Sequence, residues 1–347
     1  MSSIQLYSQE LVLQLTRIRE NETKVGEEIK TLTDVAHWEK ELSQLTCKFV
    51  LIGIPEDIGV RANYGRGGAH TAWKPALESF LNQQSNLFFD AKTCCVLGHI
   101  VVDDLMQQAD ELSAQSNNNT ITGLRKLVDE LDARVATVIG KIVMAGKIPL
   151  VIGGGHNNSF PIIKGISEAL GQKTHSINCD PHSDFRALEG RHSGNGFSYA
   201  FEQNYLNKYA VFCLHEQYNT KTVLHDFLKQ PQRLYYNTYE NIFVREKLTY
   251  STALQQAIAF VKDSICGVEL DMDAITNVPS SAKTSSGLSP IQARQYVYAC
   301  GNQLNTTYLH IAEGAPILSH IKADNKTGKL IAYLITDFIK GVLDKNE

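Results

Sequence analysis

A chain of 347 residues with 43% apolar and 20% charged side chains can bury a large core and has the make-up of an ordinary globular protein. Its formal net charge is −4 and no dense Lys/Arg block appears, which argues against nucleic acid as a partner. The opening MSSIQLYSQE has no basic start followed by an apolar stretch, and LIAYLITDFI near the end is short and carries Asp337, so neither a signal peptide nor a membrane span is expected. Seven scattered cysteines without a secretory signal point to reduced thiols in a cytoplasm.

In chain order, residues 1–46 are expected to form a fairly polar, helical N-terminal extension, and residues 47–347 the main domain. The near-continuous apolar run Lys48–Ile54, closed by Pro55, predicts a strand buried on both faces. A Gly-rich loop follows over 57–68, then a helix from about Thr71 to Leu81. Further short apolar runs predict strands at Cys94–Val102, Ile148–Ile152, His175–Cys179, Val211–Leu214, Ile265–Leu270 and Tyr308–Ile311. Between several of them, helical patterns cover Leu124–Met144, Ser159–Leu170, Thr252–Ser264 and Pro290–Ala299. The polar run at 115–120 is expected to be a surface loop. Strands alternating with amphipathic helices imply crossover units around a parallel sheet, an α/β fold with helices on both faces.

Chemistry concentrates just beyond three of these strands. Asp180-Pro-His182-Ser-Asp184 and Asp271-Met-Asp273 place metal-type ligands at alternate positions, and residues two apart in an extended segment share a face. Four carboxylates and one imidazole, with no thiolate nearby, suit Mn²⁺, Mg²⁺ or non-haem iron. Buried carboxylates at this density repel one another unless cations sit among them. Taken singly, each of these aspartates has an ordinary capping or surface role as its alternative. As sets following the buried strands SINC and ICGVEL, they fall where open parallel sheets bind ligands, at the carboxyl ends of strands. Gly153-Gly-Gly-His156 leaves a third strand in a tight turn and offers a sixth ligand. Phosphate binding is the alternative for such a turn, but the Lys-Ser/Thr of a P-loop is missing.

These elements together resemble the ureohydrolase family, which includes arginase, agmatinase and formimidoylglutamase and reads GGxH, DxHxD and SxDxD in this order. Asp57-Ile-Gly59-Val-Arg61-Ala-Asn63-Tyr-Gly65-Arg66-Gly-Gly-Ala69 is similar to the family's DxGVxxNxGRxGA segment, and Glu313-Gly-Ala-Pro316 to its late E-x-x-P. The resemblance runs from about residue 48 to 340. It implies a three-layer α/β/α arginase-like fold, a homo-oligomer and two Mn²⁺ ions. His156, Asp180, Asp184 and Asp271 would hold one ion, and His182, Asp180, Asp271 and Asp273 the other. Such a pair lowers the pKa of a shared water, and the bridging hydroxide would attack an amidine or guanidine carbon. Asp184 would orient that hydroxide, and Glu313 would hold the cationic substrate by charge-assisted hydrogen bonds.

For the proton shuttle, His192 is the only imidazole in the 190–197 segment, with an ordinary loop histidine as the alternative. His215 and His310 end apolar runs and are read as core or rim histidines. The chain departs from the family pattern at Pro181, at Asn157, at Glu269 in place of serine, and at Thr276-Asn277 in place of Asp-Pro. No departure removes a ligand. They bear instead on the surroundings of the site.

Gly59-Val-Arg61-Ala-Asn63 and Ser193-Gly194 with Phe197 look closer to formimidoylglutamase than to arginase. Formimidoylglutamate is an amidine with two carboxylates, and Arg61, Asn63, Arg66, Arg186 and Arg191 fall on loops expected at the rim, where arginine suits bidentate carboxylate recognition, with a surface salt bridge the alternative for each arginine. Ser193 and Asn195 are further substrate-binding candidates. The expectation is hydrolysis of formimidoylglutamate to glutamate and formamide in histidine breakdown. Arginine, agmatine or another guanidino acid is the alternative substrate, and a non-catalytic arginase-fold binding protein the alternative of another class.

Overall fold

The computed structural model describes residues 3–115, 119–319 and 325–345. Its frame is a nine-stranded sheet: β1 (Ile4–Leu6), β2 (Phe49–Gly53), β3 (Cys94–Ile100), β4 (Ile148–Ile152), β5 (Thr174–Cys179), β6 (Leu206–Leu214), β7 (Leu234–Thr238), β8 (Ile265–Asp271) and β9 (Asn305–Ala312). The order across the sheet is β1-β3-β2-β4-β9-β8-β5-β6-β7. Only β1 runs antiparallel, pairing Ile4–Leu6 with Gly98–Ile100.

Because successive side chains alternate across a strand, each central strand feeds two cores. Phe49 and Leu51 of β2 pack into one, with the helices Trp73–Leu81, Tyr250–Val261, Pro290–Gln303 and Lys326–Asp344. Val50 and Ile52 pack into the other, with Asp103–Gln115, Thr120–Met144, Ser159–Leu170 and Gly196–Glu202. All five β2 residues are buried, at about 1.5–3 kcal/mol for each large apolar side chain withdrawn from water. This is the three-layer α/β/α arrangement expected for the chain.

The N-terminal segment departs from its helical expectation. It opens with β1 and continues in three short helices, Gln9–Gln14, Val25–Glu28 and Trp38–Gln44. Three residues are too few for alternation to show in a sequence, and β1 is fixed by its ladder to β3. β7 (LYYNT) has no apolar run to mark it, and the helices Asp103–Gln115, Lys221–Lys229 and Lys326–Asp344 were not among the expected elements either. The last contains LIAYLITDFI, with Ile331, Leu334, Ile335, Phe338 and Ile339 buried and Asp337 held by Arg294 at 2.5 Å. Among the described residues no helix is long and apolar enough to cross a membrane. Of the expected polar loop at 115–120, residues 116–118 lie outside the described residues. Gln115 ends one helix and Thr120 begins the next.

The crossovers position the site. From β4 the chain passes through Ser159–Leu170 on one face to β5, skipping two strand positions that β9 and β8 later fill. From β8 it passes through Pro290–Gln303 on the opposite face to β9. Connections leaving β4 and β8, which β9 alone separates, toward opposite faces open a crevice at the carboxyl edge, and four adjacent strands, β4, β9, β8 and β5, line it.

Candidate metal centre

Each of these four strands ends in a functional group held by local geometry. After β4, Gly153 and Gly154 turn the chain at φ 86° and 75°, which side chains rarely adopt, and His156 follows fully buried. Asp180 and Asp184 follow β5, Asp271 is the last residue of β8, and Glu313 comes just after β9. Asp184 and Glu313 lie in the left-handed region at φ 44° and 64°. Such backbone costs on the order of 1–3 kcal/mol per residue and persists only where neighbours fix it. Here the Phe197 amide donates to the Asp184 carbonyl at 3.3 Å, and the Glu313 amide to the Gly154 carbonyl at 3.0 Å.

At the centre, His156 Nδ1 lies 2.9 Å from Asp184 Oδ2, 3.2 Å from Asp180 Oδ2 and 3.3 Å from Asp271 Oδ2. The four residues offer ligand atoms all within 4.8 Å of one another. Despite these distances, Nδ1 is a buried nitrogen without a properly directed hydrogen bond. One imidazole and three carboxylates around an unsatisfied nitrogen is a donor set that fits a hard-to-borderline divalent cation such as Mn²⁺. His182 and Asp273, the remaining expected ligands, line the adjoining cavity of about 230 Å³ together with Asp184, Asp271 and Glu313. Backbone amides orient the acids: His182 N donates to Asp180 Oδ1 at 2.7 Å, Asp273 N to Asp271 Oδ1 at 2.6 Å, and Ala282 N to Asp273 Oδ1 at 3.1 Å.

The titration directions agree with a site built for positive charge. Burial raises the carboxyl pKa of Asp271, with the Asp273 and Asp180 charges adding to it. Asp184 and Asp273 are raised for the same first reason, burial. Burial opposes charge on His182, but the Asp180 and Asp273 carboxylates outweigh it and bring the imidazole to about 10. Asp180 is lowered although burial alone would raise it, because His156 and His182 both face it. Glu313 is pushed up to about 8 by burial and by the Asp273 charge. Its Oε1 accepts from the His156 amide at 2.9 Å and its Oε2 from Ser281 Oγ at 2.6 Å, which leaves the carboxyl fixed on the cavity wall.

The structure separates the expected substrate residues into two groups. Asn63 and Ser193 line the cavity, with Asn63 Nδ2 donating to Ser193 Oγ at 3.3 Å. Arg186 joins them, its Nη1 on Asn63 Oδ1 at 2.7 Å and its Nη2 on Glu189 at 2.9 Å. Arg61 does not line the cavity. It lies between Asp57 at 2.8 Å and Asp110 at 2.7 Å, because the turn Ile58–Ala62 aims it at the helix Asp103–Gln115. Arg66 donates to the Ser281 carbonyl at 3.2 Å outside the cavity lining. Asn195 is buried, accepting from Arg191 Nη1 at 2.8 Å and donating to the Gly190 carbonyl at 2.8 Å. Arg191 is 1% exposed, paired with Asp132 and stacked between Phe160 and Tyr199.

His192 is likewise no cavity residue. It is fully buried, its Nε2 3.1 Å from Glu189 Oε1 and its Nδ1 accepting from the Gly194 amide at 3.1 Å, the pattern of a neutral ring capping a turn. Burial first, then Arg186 and Arg125, lowers its pKa to about 4. The unfolded chain binds a proton below about pH 6.5 that the fold refuses, so stability falls as pH drops through that window. We expect His192→Asn to lose its thermal midpoint less steeply than the wild type between pH 6.5 and 4. The pH profile of kcat/KM should stay unmoved, and a missing limb in that profile would restore His192 as the shuttle.

Two further side chains support the site: Glu56, which the sequence reading did not single out, and Glu269, noted there only as a departure from the family pattern. Glu56, fully buried, accepts from Gly155 N at 2.9 Å and from Asn157 and Asn158 at 3.2 and 2.6 Å, so that it ties down the loop carrying His156. Glu269 meets His156, His310 and Tyr308. Its position two residues before Asp271 on β8 was the available signal. His310 is the buried, bonded core histidine that was expected, and His215 packs beside Tyr218 and Tyr239 at 5.6 and 4.7 Å between ring centres.

Comparison with known proteins adds four findings. The family model described as "Arginase family" matches residues 47–340. A formimidoylglutamase from Macrococcus caseolyticus is 29% identical over 221 residues, covering 62% of this chain and 67% of that protein. Among solved structures, the formimidoylglutamase of Bacillus subtilis superposes with a TM-score of 0.73 at 16% identity, over 95% of each chain. A Trypanosoma cruzi formiminoglutamase solved with Mn²⁺ gives 0.67 at 20% identity, over 92% of this chain and 98% of that one.

Proposed function

We propose that this chain, which belongs to the arginase family and is a hydrolase of carbon–nitrogen bonds, converts formimidoylglutamate and water to glutamate and formamide with two Mn²⁺ ions. The observation that carries the reading is the convergence of His156, Asp180, Asp184 and Asp271 on one point at the carboxyl edge of the sheet. These four would hold one ion, and His182 and Asp273, with Asp180 and Asp271 shared, the other. The names of the relatives and the Mn²⁺ of the Trypanosoma cruzi protein support the choice of metal and substrate.

When bound, such a metal pair supplies Lewis acidity and a water ionised near neutral pH. The residues of the chain do the rest. Water adds to the amidine carbon, the bond from that carbon to the glutamate nitrogen breaks, and the nitrogen leaves with a proton. Glu313, fixed by the His156 amide and Ser281, presents a carboxylate oxygen to the cationic amidine. With His192 engaged elsewhere, Asp184 on the cavity wall is the group placed to orient the attacking water. Arg186, braced by Asn63, offers its guanidinium to a tail carboxylate, and Ser193 and Asn63 offer hydrogen bonds beside it. The same reading takes the protein to work as a homo-oligomer, and in the cytoplasm, where its seven buried free cysteines would stay reduced.

Turnover of the Mn²⁺-loaded protein on formimidoylglutamate, arginine, agmatine and a guanidino acid tests the proposal. Formimidoylglutamate is expected to exceed the others in kcat/KM by at least about a hundredfold, since a missing carboxylate leaves a cationic site unpaired. An inert formimidoylglutamate beside a guanidine that turns over would reverse the assignment.

A further inference from the structure

Behind the metal cluster lies a second group of buried polar side chains that the reaction leaves without a role. Glu269 stands where the family pattern has serine, two residues before Asp271 on β8. Its Oε2 faces His156 Nε2 at 3.3 Å and accepts from His310 Nδ1 at 2.7 Å, while its Oε1 accepts from Tyr308 Oη at 2.7 Å. His310 Nε2 in turn points at the carbonyl of Gly153, the first glycine of the loop that carries His156, at 3.4 Å. All four side chains are fully buried.

The arrangement is written into the sheet register. Glu269 pairs with His310 and Gly267 with Tyr308 across β8 and β9, so the four positions share one face of two neighbouring strands. Gly267 is needed there, because a Cβ would stand 1.9 Å from the Tyr308 ring that crosses it to reach Glu269.

We propose that Glu269, held by Tyr308 and His310, is a positioning residue that fixes the His156 ring so that Nδ1 faces the metal-binding carboxylates. Resting on the reading of that cluster as a metal site, this assigns the tautomer by elimination. With Nε2 donating to Glu269, only Nδ1 keeps a lone pair, and it points at Asp180, Asp184 and Asp271. A carboxylate behind a ligating imidazole also makes it a stronger base and a tighter ligand. His156, Glu269 and His310 lie close enough to bind a cation themselves. Both Glu269 oxygens already take a directed O–H or N–H donor, however, so the group serves as a hydrogen-bonded relay.

The test is Mn²⁺ titration of metal-stripped full-length protein by calorimetry, followed by electron paramagnetic resonance of the bound ions, for wild type, Glu269→Gln and Tyr308→Phe. Wild type should bind two equivalents. Glu269→Gln, which keeps the shape and removes the charge, should bind one equivalent at near wild-type affinity and the second about 10–100-fold more weakly. Tyr308→Phe should shift the same equivalent by a smaller factor. Selective loss of one ion is a result that a general packing defect would not give. Unchanged binding in Glu269→Gln overturns the inference, as does equal loss of both ions with a lowered thermal midpoint, or a third equivalent in the wild type. A wild type that binds no Mn²⁺ would overturn the metal reading and this inference with it.

Discussion

Replacing Asp271 with alanine is expected to lower turnover by at least about a thousandfold, on the order of 4 kcal/mol of barrier, and to reduce bound Mn²⁺ below two equivalents. Asp271 is fully engaged at the focus of the cluster, one oxygen 3.3 Å from His156 Nδ1 and the other accepting the Asp273 amide at 2.6 Å. Its removal opens both proposed ion positions at once and frees the turn that sets Asp273. Metal content by mass spectrometry and steady-state turnover check this together. A near-normal rate in Asp271→Ala would refute the two-ion arrangement.

The second large effect is expected on stability. Arg191 is fully buried with Nε 2.8 Å and Nη2 3.3 Å from the two carboxylate oxygens of Asp132, and it donates to Asn195 Oδ1 and to the Asn157 carbonyl at 2.8 and 2.7 Å. Arg191→Met leaves Asp132 as an unpaired buried carboxylate, at a cost of about 3–5 kcal/mol. Against a total stability of about 5–15 kcal/mol for a folded domain, that is a large share. The double variant Arg191→Met with Asp132→Leu should recover part of it, since removing both charges avoids the stranded ion. Urea unfolding of the three proteins decides the matter. A single variant as stable as wild type would show that the pair contributes nothing net. Because Arg191 holds the carbonyl next to His156, the single variant should also bind Mn²⁺ more weakly.

The six ligand candidates were legible because ligands two apart on the end of a buried strand share a face, and because adjacent parallel strands end on one edge. Glu313 was legible only through the resemblance, since nothing local distinguishes it from a capping glutamate. Loop residues fared differently. Arg61, Asn195 and His192 sit within a few residues of true cavity residues, yet their side chains turn toward Asp110, Arg191 and Glu189. Spacing along an irregular segment carries no information on direction: the partner of Arg61 lies 49 residues away on the helix Asp103–Gln115, and those of Asn195 and His192 within the same loop. Glu269 was visible as a departure, but its partners Tyr308 and His310 come from a strand 39 and 41 residues later, brought alongside by the ladder. β1 and β7 escaped for a simpler reason: they are edge strands, short or mixed in polarity, and one-sided burial leaves little trace in so few residues.

The order of the four central strands has a consequence for how the protein is made. β4, β9, β8 and β5 stand side by side, but the residues they present run from His156 to Glu313, and β9 fills its central place after every other strand has been synthesised. Pairings between segments so distant in sequence form slowly, because the loops between them must close first. No nascent chain ending before residue 313 can contain the complete pocket, and the ninth strand must enter between two neighbours already made. All six proposed ligands precede β9, so the last strand adds Glu313 and closes the centre of the sheet rather than supplying a ligand.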